Sequence, residues 1–141
     1  MEFIHHYFGW ILCLLTIIFI LLFKKITKNP NAVTSKYVEE RKVKKSLKSQ
    51  TLIDSIITAM EQAGFKDIRH VSDKLLFYAN ARVSLNSWTE NIEIKIEEME
   101  DFNVINFFSI CAMPTQIFDW GKNKRNAKRF FKELDKLMIE K

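Results

Sequence analysis

Alternation of apolar and polar residues over residues 67–113 restricts the possible fold of this chain more than any other feature. In the run NIEIKIEEM, Ile92, Ile94 and Ile96 alternate with charged residues, which is typical of a strand with one buried and one solvated face. The next run, FNVINFFSICA, is rich in β-branched and aromatic residues on both faces, as a central strand would be. Two earlier runs, DIRHV and DKLLFYANARVSL, also read as strands. The segment therefore predicts four or five mostly antiparallel strands.

Two amphipathic segments flank these strands. The run TLIDSIITAMEQAGF repeats apolar residues at helical spacing and ends at Gly64, the position where a helix commonly ends. After the strands, a second helix is predicted to place eight residues on one arc of about 120° facing the core. They are Trp120, Asn123, Ala127, Phe130, Phe131, Leu134, Leu137 and Met138. The sequence thus predicts an α+β fold in which residues 51–141 form a small domain of helix, four to five strands and C-terminal helix.

The N-terminal segment contains 21 residues, 3–23, without a fixed charge. A helix of that length rises about 1.5 Å per residue and matches a hydrocarbon core of about 30 Å. Residues 24–48 hold nine Lys or Arg against two Glu, and such a bias places the following chain in the cytoplasm. We therefore expect residues 1–28 to be a transmembrane anchor with a basic flank in the plasma (inner) membrane, single-pass, with its N-terminus outside and its C-terminal domain cytoplasmic.

Residues 29–50 connect the anchor to the domain. They are strongly charged and contain no glycine, and Val33, Tyr37, Val43 and Leu47 recur at near-helical spacing. Two interpretations stay open, a basic amphipathic helix on a membrane surface and a solvated spacer with partial disorder.

The C-terminal helix carries basic residues near its start, where the helix dipole is already positive. Free N–H groups and cationic side chains together favour phosphate or carboxylate groups, and the abundant anions at a bilayer are lipid headgroups. The residues predicted to bind an anion or headgroup are Lys122, Lys124, Arg125, Arg129 and Lys132. A charged face that is merely solvated, or one that contacts a protein partner, explains the same pattern.

The turn before this helix combines Asp119, Trp120, Gly121 and Asn123. Asp119 is placed to accept N–H groups of the first helical turn, and Gly121 suits a backbone geometry that other residues avoid. Asn123 falls among apolar residues, so its amide must find partners, and we expect it to tie the turn after Pro114 to the sheet. These four residues form a structural turn or, alternatively, line a small-molecule pocket beside Trp120.

The order Asp119, Gly121, Asn123, following a strand with Ser109 and leading into an amphipathic helix, resembles a signature of a family of uncharacterised bacterial domains. Those domains carry a serine-rich strand and then Asp-x-Gly-x-Asn-x-x-Arg near their C-terminus. The resemblance covers residues 104–138, and Asn126 stands at the position of the signature's Arg. It implies a strand, a turn and a helix in this order and implies no particular reaction.

Several kinds of chemistry have no support in the sequence. Three glycines are too few for a phosphate-binding or dinucleotide-binding glycine motif, and no catalytic residue, metal ligand or cofactor is predicted. Nucleic acid is not an expected partner, because Phe130 and Phe131 are predicted to face the core and are not free to stack on bases. We expect a membrane-anchored, non-catalytic binding domain for anionic headgroups or a membrane-protein partner. The alternative is a small-molecule-binding or hydrolytic domain with its site near Asp119, Trp120 and Asn123.

Overall fold

A computed structural model of the chain describes residues 2–27, 34–45, 49–82 and 89–139. Its elements are three helices and five strands, bounded as follows: α1 Glu2–Thr27, β1 Lys36–Lys44, α2 Ser49–Gln62, β2 Lys66–Val71, β3 Leu76–Ala81, β4 Glu90–Glu98, β5 Phe102–Cys111 and α3 Lys122–Ile139. A short 3₁₀ turn, Ser72–Lys74, joins β2 to β3. The predicted α+β class, the antiparallel strands and the C-terminal helix are confirmed.

The five strands form one antiparallel sheet in the order β1-β5-β4-β3-β2. Helices α2 and α3 pack together and against one face of this sheet. Each strand alternates its side chains between that helix-covered face and the opposite face, which we call the open face. Phe77, Ile94 and Phe107 are aligned across three neighbouring strands on the covered face, and all three are fully buried.

An aromatic cluster fills the centre of the covered face. The Phe107 ring lies 5.5 Å from the Phe130 ring and 5.9 Å from the Phe131 ring, measured between centroids. Phe130 and Phe131 meet edge to face at 5.0 Å, a favoured geometry for aromatic pairs. The phenylalanines of α3 are thus packed onto β5, an interior strand of the sheet, as the predicted core arc requires.

Strand β1 lies within residues 29–50, where a linker was predicted. Lys36–Lys44 pairs along its whole length with β5, so most of the described part of this segment is neither a helix nor a spacer. Its inward-facing charges are neutralised locally, because Arg41 lies 3.0 Å from Glu39 and 4.0 Å from the centre of the Phe131 ring. Residues 29–33 and 46–48 of the predicted linker lie outside the described residues.

The predicted transmembrane anchor is not supported. Across the described residues, no helix combines the length and the apolar character needed to cross a membrane. This finding contradicts the single-pass topology and the inner-membrane localisation predicted above, and both expectations were wrong.

Candidate functional site

Asp119 caps the start of α3, as predicted. Its two carboxylate oxygens accept the backbone N–H groups of Gly121 at 3.0 Å and Asn123 at 2.7 Å. Partial burial acts to raise the pKa of the Asp119 carboxyl, but hydrogen bonds from those two N–H groups and from the side chains of Ser35 and Asn123 outweigh it. The pKa therefore lies below its ordinary value, and the carboxylate is committed to holding the turn.

The ionised form of Asp119 is expected to stabilise the fold. Because its folded pKa is lowered, this contribution is fully present above the carboxyl's ordinary pKa of about 4 in the unfolded chain. It is lost as the pH falls through the lower folded pKa. We expect Asp119→Asn to unfold at lower urea concentration than wild type at pH 7, and the gap to shrink as the pH falls below about 4. A gap that is independent of pH would contradict this role.

Trp120 and Gly121 form a left-handed turn, with φ values of 51° and 73°. The special backbone geometry predicted at Gly121 is therefore present, whereas Trp120 is not in the core and leaves 73% of its surface exposed. Arg125 donates through its guanidinium to the Trp120 carbonyl at 2.6 Å. The neighbouring Phe118 is also exposed, so the turn presents two aromatic side chains outward.

Asn123 is the centre of a buried polar cluster between β1, β5 and α3. Its side-chain oxygen accepts a hydrogen bond from the Ser109 hydroxyl at 2.6 Å, and its amide nitrogen donates to the Ser35 carbonyl at 3.2 Å. Asn126 is also fully buried and donates to Ser109 at 3.5 Å. Thr34 donates to the Pro114 carbonyl beside the cluster. Asn123 was expected to tie the region after Pro114 to the sheet, and its hydrogen bonds to Ser109 and Ser35 do so. These contacts stabilise the fold.

Lys122 is buried, contrary to its predicted place on the solvated face. Its ammonium lies 2.8 Å from the Glu90 carboxylate and donates to the Arg82 carbonyl at 2.6 Å, and the Glu90 side chain is fully buried. No pattern in the sequence distinguishes Glu90 as the partner of this lysine. A cation held in this pair is not available to an external anion, so Lys122 leaves the predicted headgroup-binding set.

The four other basic residues of that set lie on the exposed side of α3. Arg125 and Arg129 are engaged within the chain, at the Trp120 carbonyl and at the Asn126 side chain at 2.7 Å. Lys124 and Lys132 have no ion pair or side-chain hydrogen bond with the described residues. Binding of an anionic group at these side chains stays a prediction.

A cavity of about 320 Å³ lies on the open face of the sheet, away from the predicted turn. Its volume falls within the range of small-ligand sites. None of the four turn residues borders it. Its lining comes from four neighbouring strands and comprises Arg69, Tyr78, Ala79, Asn80, Asn91, Ile92, Glu93, Phe108 and Ile110.

Two cross-strand rows build this cavity. Arg69, Tyr78, Glu93 and Phe108 are direct partners across β2, β3, β4 and β5. The next row on the same face contains Asn80, Asn91 and Ile110. Polar groups therefore lie toward β2, β3 and β4, and apolar side chains lie on β5.

A β-bulge in β2 adjoins the polar side of the cavity. The register shifts between Lys66 and Arg69, and Asp67 within the bulge has a left-handed φ of 55°. Asn80, which lines the cavity, donates to the Asp67 carboxylate at 3.0 Å. Bulges redirect nearby side chains and occur often beside functional sites, and this one directly precedes Arg69 in the chain.

Metal binding has no candidate in the described part of the chain, because no three His, Cys, Asp or Glu side chains there are close enough to share an ion. Cys111 is buried, with its sulfur accepting from the Asn123 amide at 3.6 Å, whereas Cys13 is exposed, and neither of the two forms a disulfide.

Comparisons with known proteins add little to the identification of the site. No protein-family model matches the chain, and no curated protein matches it. Among solved structures, the crystal structure of Ara h 8.0201 is similar with a TM-score of 0.43 and 8% sequence identity, over 76% of this chain and all of that one. A similarity of this size carries no argument about function.

Proposed function

We propose that this protein is a non-catalytic binding domain that holds a small organic molecule in the cavity on the open face of its sheet. The observation that supports the proposal is the cavity itself, in which an apolar end at Phe108 and Ile110 adjoins a polar end at Arg69, Tyr78 and Glu93. Ligand sites commonly combine apolar lining with a few polar groups that orient the bound molecule. The site that we propose is thus on the sheet, whereas the expected small-molecule site was near Asp119, Trp120 and Asn123.

The rigidity of the lining supports the same proposal. The lining side chains project from paired strands, and strand positions hold side chains more accurately than loops do. Ile110 is buried at the cavity's apolar end, while Asn91 and Arg69 are exposed. An amphipathic molecule can therefore enter from solvent at the polar side and place its apolar part against β5.

A pair of tryptophan substitutions tests the proposal. Asn91→Trp adds a large side chain at an exposed lining position, and Val38→Trp adds the same side chain to the open face on β1, outside the cavity lining. Tryptophan is well tolerated in strands, so both variants are expected to fold. We expect ligand-observed NMR with a library of small amphipathic compounds to detect binders for wild type and Val38→Trp. Asn91→Trp should lose them.

Two results would count against the function. The first is the absence of any binder to wild type at millimolar concentrations. The second is a set of binders that both variants retain equally, which would place binding elsewhere on the protein. Chemical shift changes at the Phe108 ring and the Ile110 methyl groups on ligand addition would localise a positive result.

A further inference from the structure

Resting on the proposed function, we infer that the ligand is a zwitterion, a small apolar molecule that carries both a carboxylate and a protonated amine. The inference comes from two opposite charges that border the cavity. Arg69 on β2 and Glu93 on β4 each face Tyr78, which lies between them on β3. With neighbouring strands about 4.8 Å apart, their backbones are separated by about 10 Å.

The two charges lack an ion-pair partner among the residues that the structure describes. Neither Arg69 nor Glu93 forms an ion pair or a side-chain hydrogen bond with the described residues. Lys95 is near enough to interact with Glu93 electrostatically, but its ammonium bonds to Glu97 at 2.8 Å. Both groups that face the cavity therefore keep their hydrogen-bonding capacity for a bound molecule.

Each charge recognises one end of a zwitterion. The planar guanidinium of Arg69 can donate two parallel hydrogen bonds to a carboxylate, and the Glu93 carboxylate accepts hydrogen bonds from an ammonium group. A ligand with only a negative charge would be repelled by the Glu93 carboxylate. A ligand with only a positive charge would be repelled by the Arg69 guanidinium. Specificity follows from this repulsion as much as from the attraction.

The apolar part of the ligand is accommodated on β5. The Phe108 ring is partly buried and the Ile110 side chain is buried, and both are on the same face as the two charges. An aromatic or branched aliphatic group in contact with Phe108 gains from ring packing and from removal of apolar surface from water. The polar and apolar elements together describe a molecule of the amino acid class.

Isothermal titration calorimetry of the full chain with three related compounds tests the inference. L-Phenylalanine carries both charges, 3-phenylpropanoate lacks the amine, and 2-phenylethylamine lacks the carboxylate. We expect wild type to bind L-phenylalanine at least about tenfold more tightly than either of the others, because each of them leaves one charged group of the protein without its partner.

Three variants separate the contribution of the ligand's carboxylate from that of its amine. Arg69→Gln should abolish the preference over 2-phenylethylamine, and Glu93→Gln should abolish the preference over 3-phenylpropanoate. Glu40→Gln removes an exposed carboxylate from the same face of the sheet, on β1 and outside the cavity lining, and it should leave both preferences unchanged. Circular dichroism before titration confirms that each variant is folded.

The outcomes distinguish this inference from the proposed function. Equal affinity for the three compounds would overturn the inference that the ligand is a zwitterion. An equal loss of affinity for all three after either cavity substitution would overturn it as well. If none of the three binds while Asn91→Trp still removes other binders, the zwitterion is wrong and the cavity retains its function. If nothing binds wild type, both proposals fail.

Discussion

Lys122→Met is expected to lower the free energy of unfolding by about 3–5 kcal/mol, because it leaves the Glu90 carboxylate buried without its cation. The Glu90 side chain is fully buried and its carboxylate lies 2.8 Å from the Lys122 ammonium. The substitution also removes the donor to the Arg82 carbonyl. Urea unfolding followed by circular dichroism measures the loss as a lower midpoint at unchanged slope.

A second substitution shows whether the loss of stability comes from the buried Glu90 carboxylate, which Lys122→Met deprives of its cation. In the double variant Lys122→Met/Glu90→Met both charges are replaced by apolar side chains of similar size. Such replacements are often neutral or stabilising, so most of the lost stability should return. Lys124→Met, an exposed position on the same helix, should change stability by no more than about 0.5 kcal/mol. A double variant as unstable as the single one would contradict the explanation.

Phe107→Ala is expected to cost about 3–5 kcal/mol, because it removes the ring that joins β5 to α3 and leaves a cavity in the core. Phe107 is fully buried and its ring contacts the rings of Phe65, Phe130 and Phe131. Thermal and urea unfolding should both show the loss. The neighbouring rings are too large to fill the space without shifting the helix.

Phe108→Ala is the matched control, because the next residue of the same strand projects to the open face and is only partly buried. Its truncation should cost a smaller amount, about 1–2 kcal/mol, in proportion to the apolar area that it buries. Equal losses at the two positions would mean that the two faces of the sheet contribute equally to stability, contrary to the structure.

The strands were predictable because their apolar periods are strong. Ile92, Ile94 and Ile96 of β4 lie on the covered face, as their alternation indicates. The cavity was not predictable from the same patterns. Alternation assigns Arg69, Tyr78 and Glu93 to one face of their own strands, but only the pairing register brings them into one row, and register depends on long-range contacts.

Strand β1 was missed because its charges obscure its period. Tyr37, Glu39, Arg41 and Val43 all face the helices, so the inward side of this strand carries as many charged as apolar residues. Glu39 and Arg41 are neutralised by each other, and Arg41 also pairs with Asp135 of α3 at 3.0 Å. The contact between Arg41 and Asp135 joins residues far apart in the chain, so no local sequence pattern could predict it.

Trp120 and Lys122 were misplaced for a geometric reason. The predicted arc extends the helical period back to Trp120, but α3 begins at Lys122 and the two preceding residues have left-handed φ values. A helical angle therefore has no meaning at Trp120. Lys122, at the first helical position, points to the end of the sheet where Glu90 begins β4, a contact that depends on tertiary structure alone.

The order of strands in the sheet has a consequence for how this protein is made. The described strand partner of β1 is β5, in which Ile110 pairs with Lys36. At a synthesis rate of about 5–20 residues per second, β1 exists for several seconds before β5 has been made. Such distant pairing also slows folding, because a long loop must close before the contact forms. On the ribosome, the edge strand β1 therefore stays without its β5 partner until the other four strands have been synthesised. During that interval the unpaired strand is accessible to chaperones.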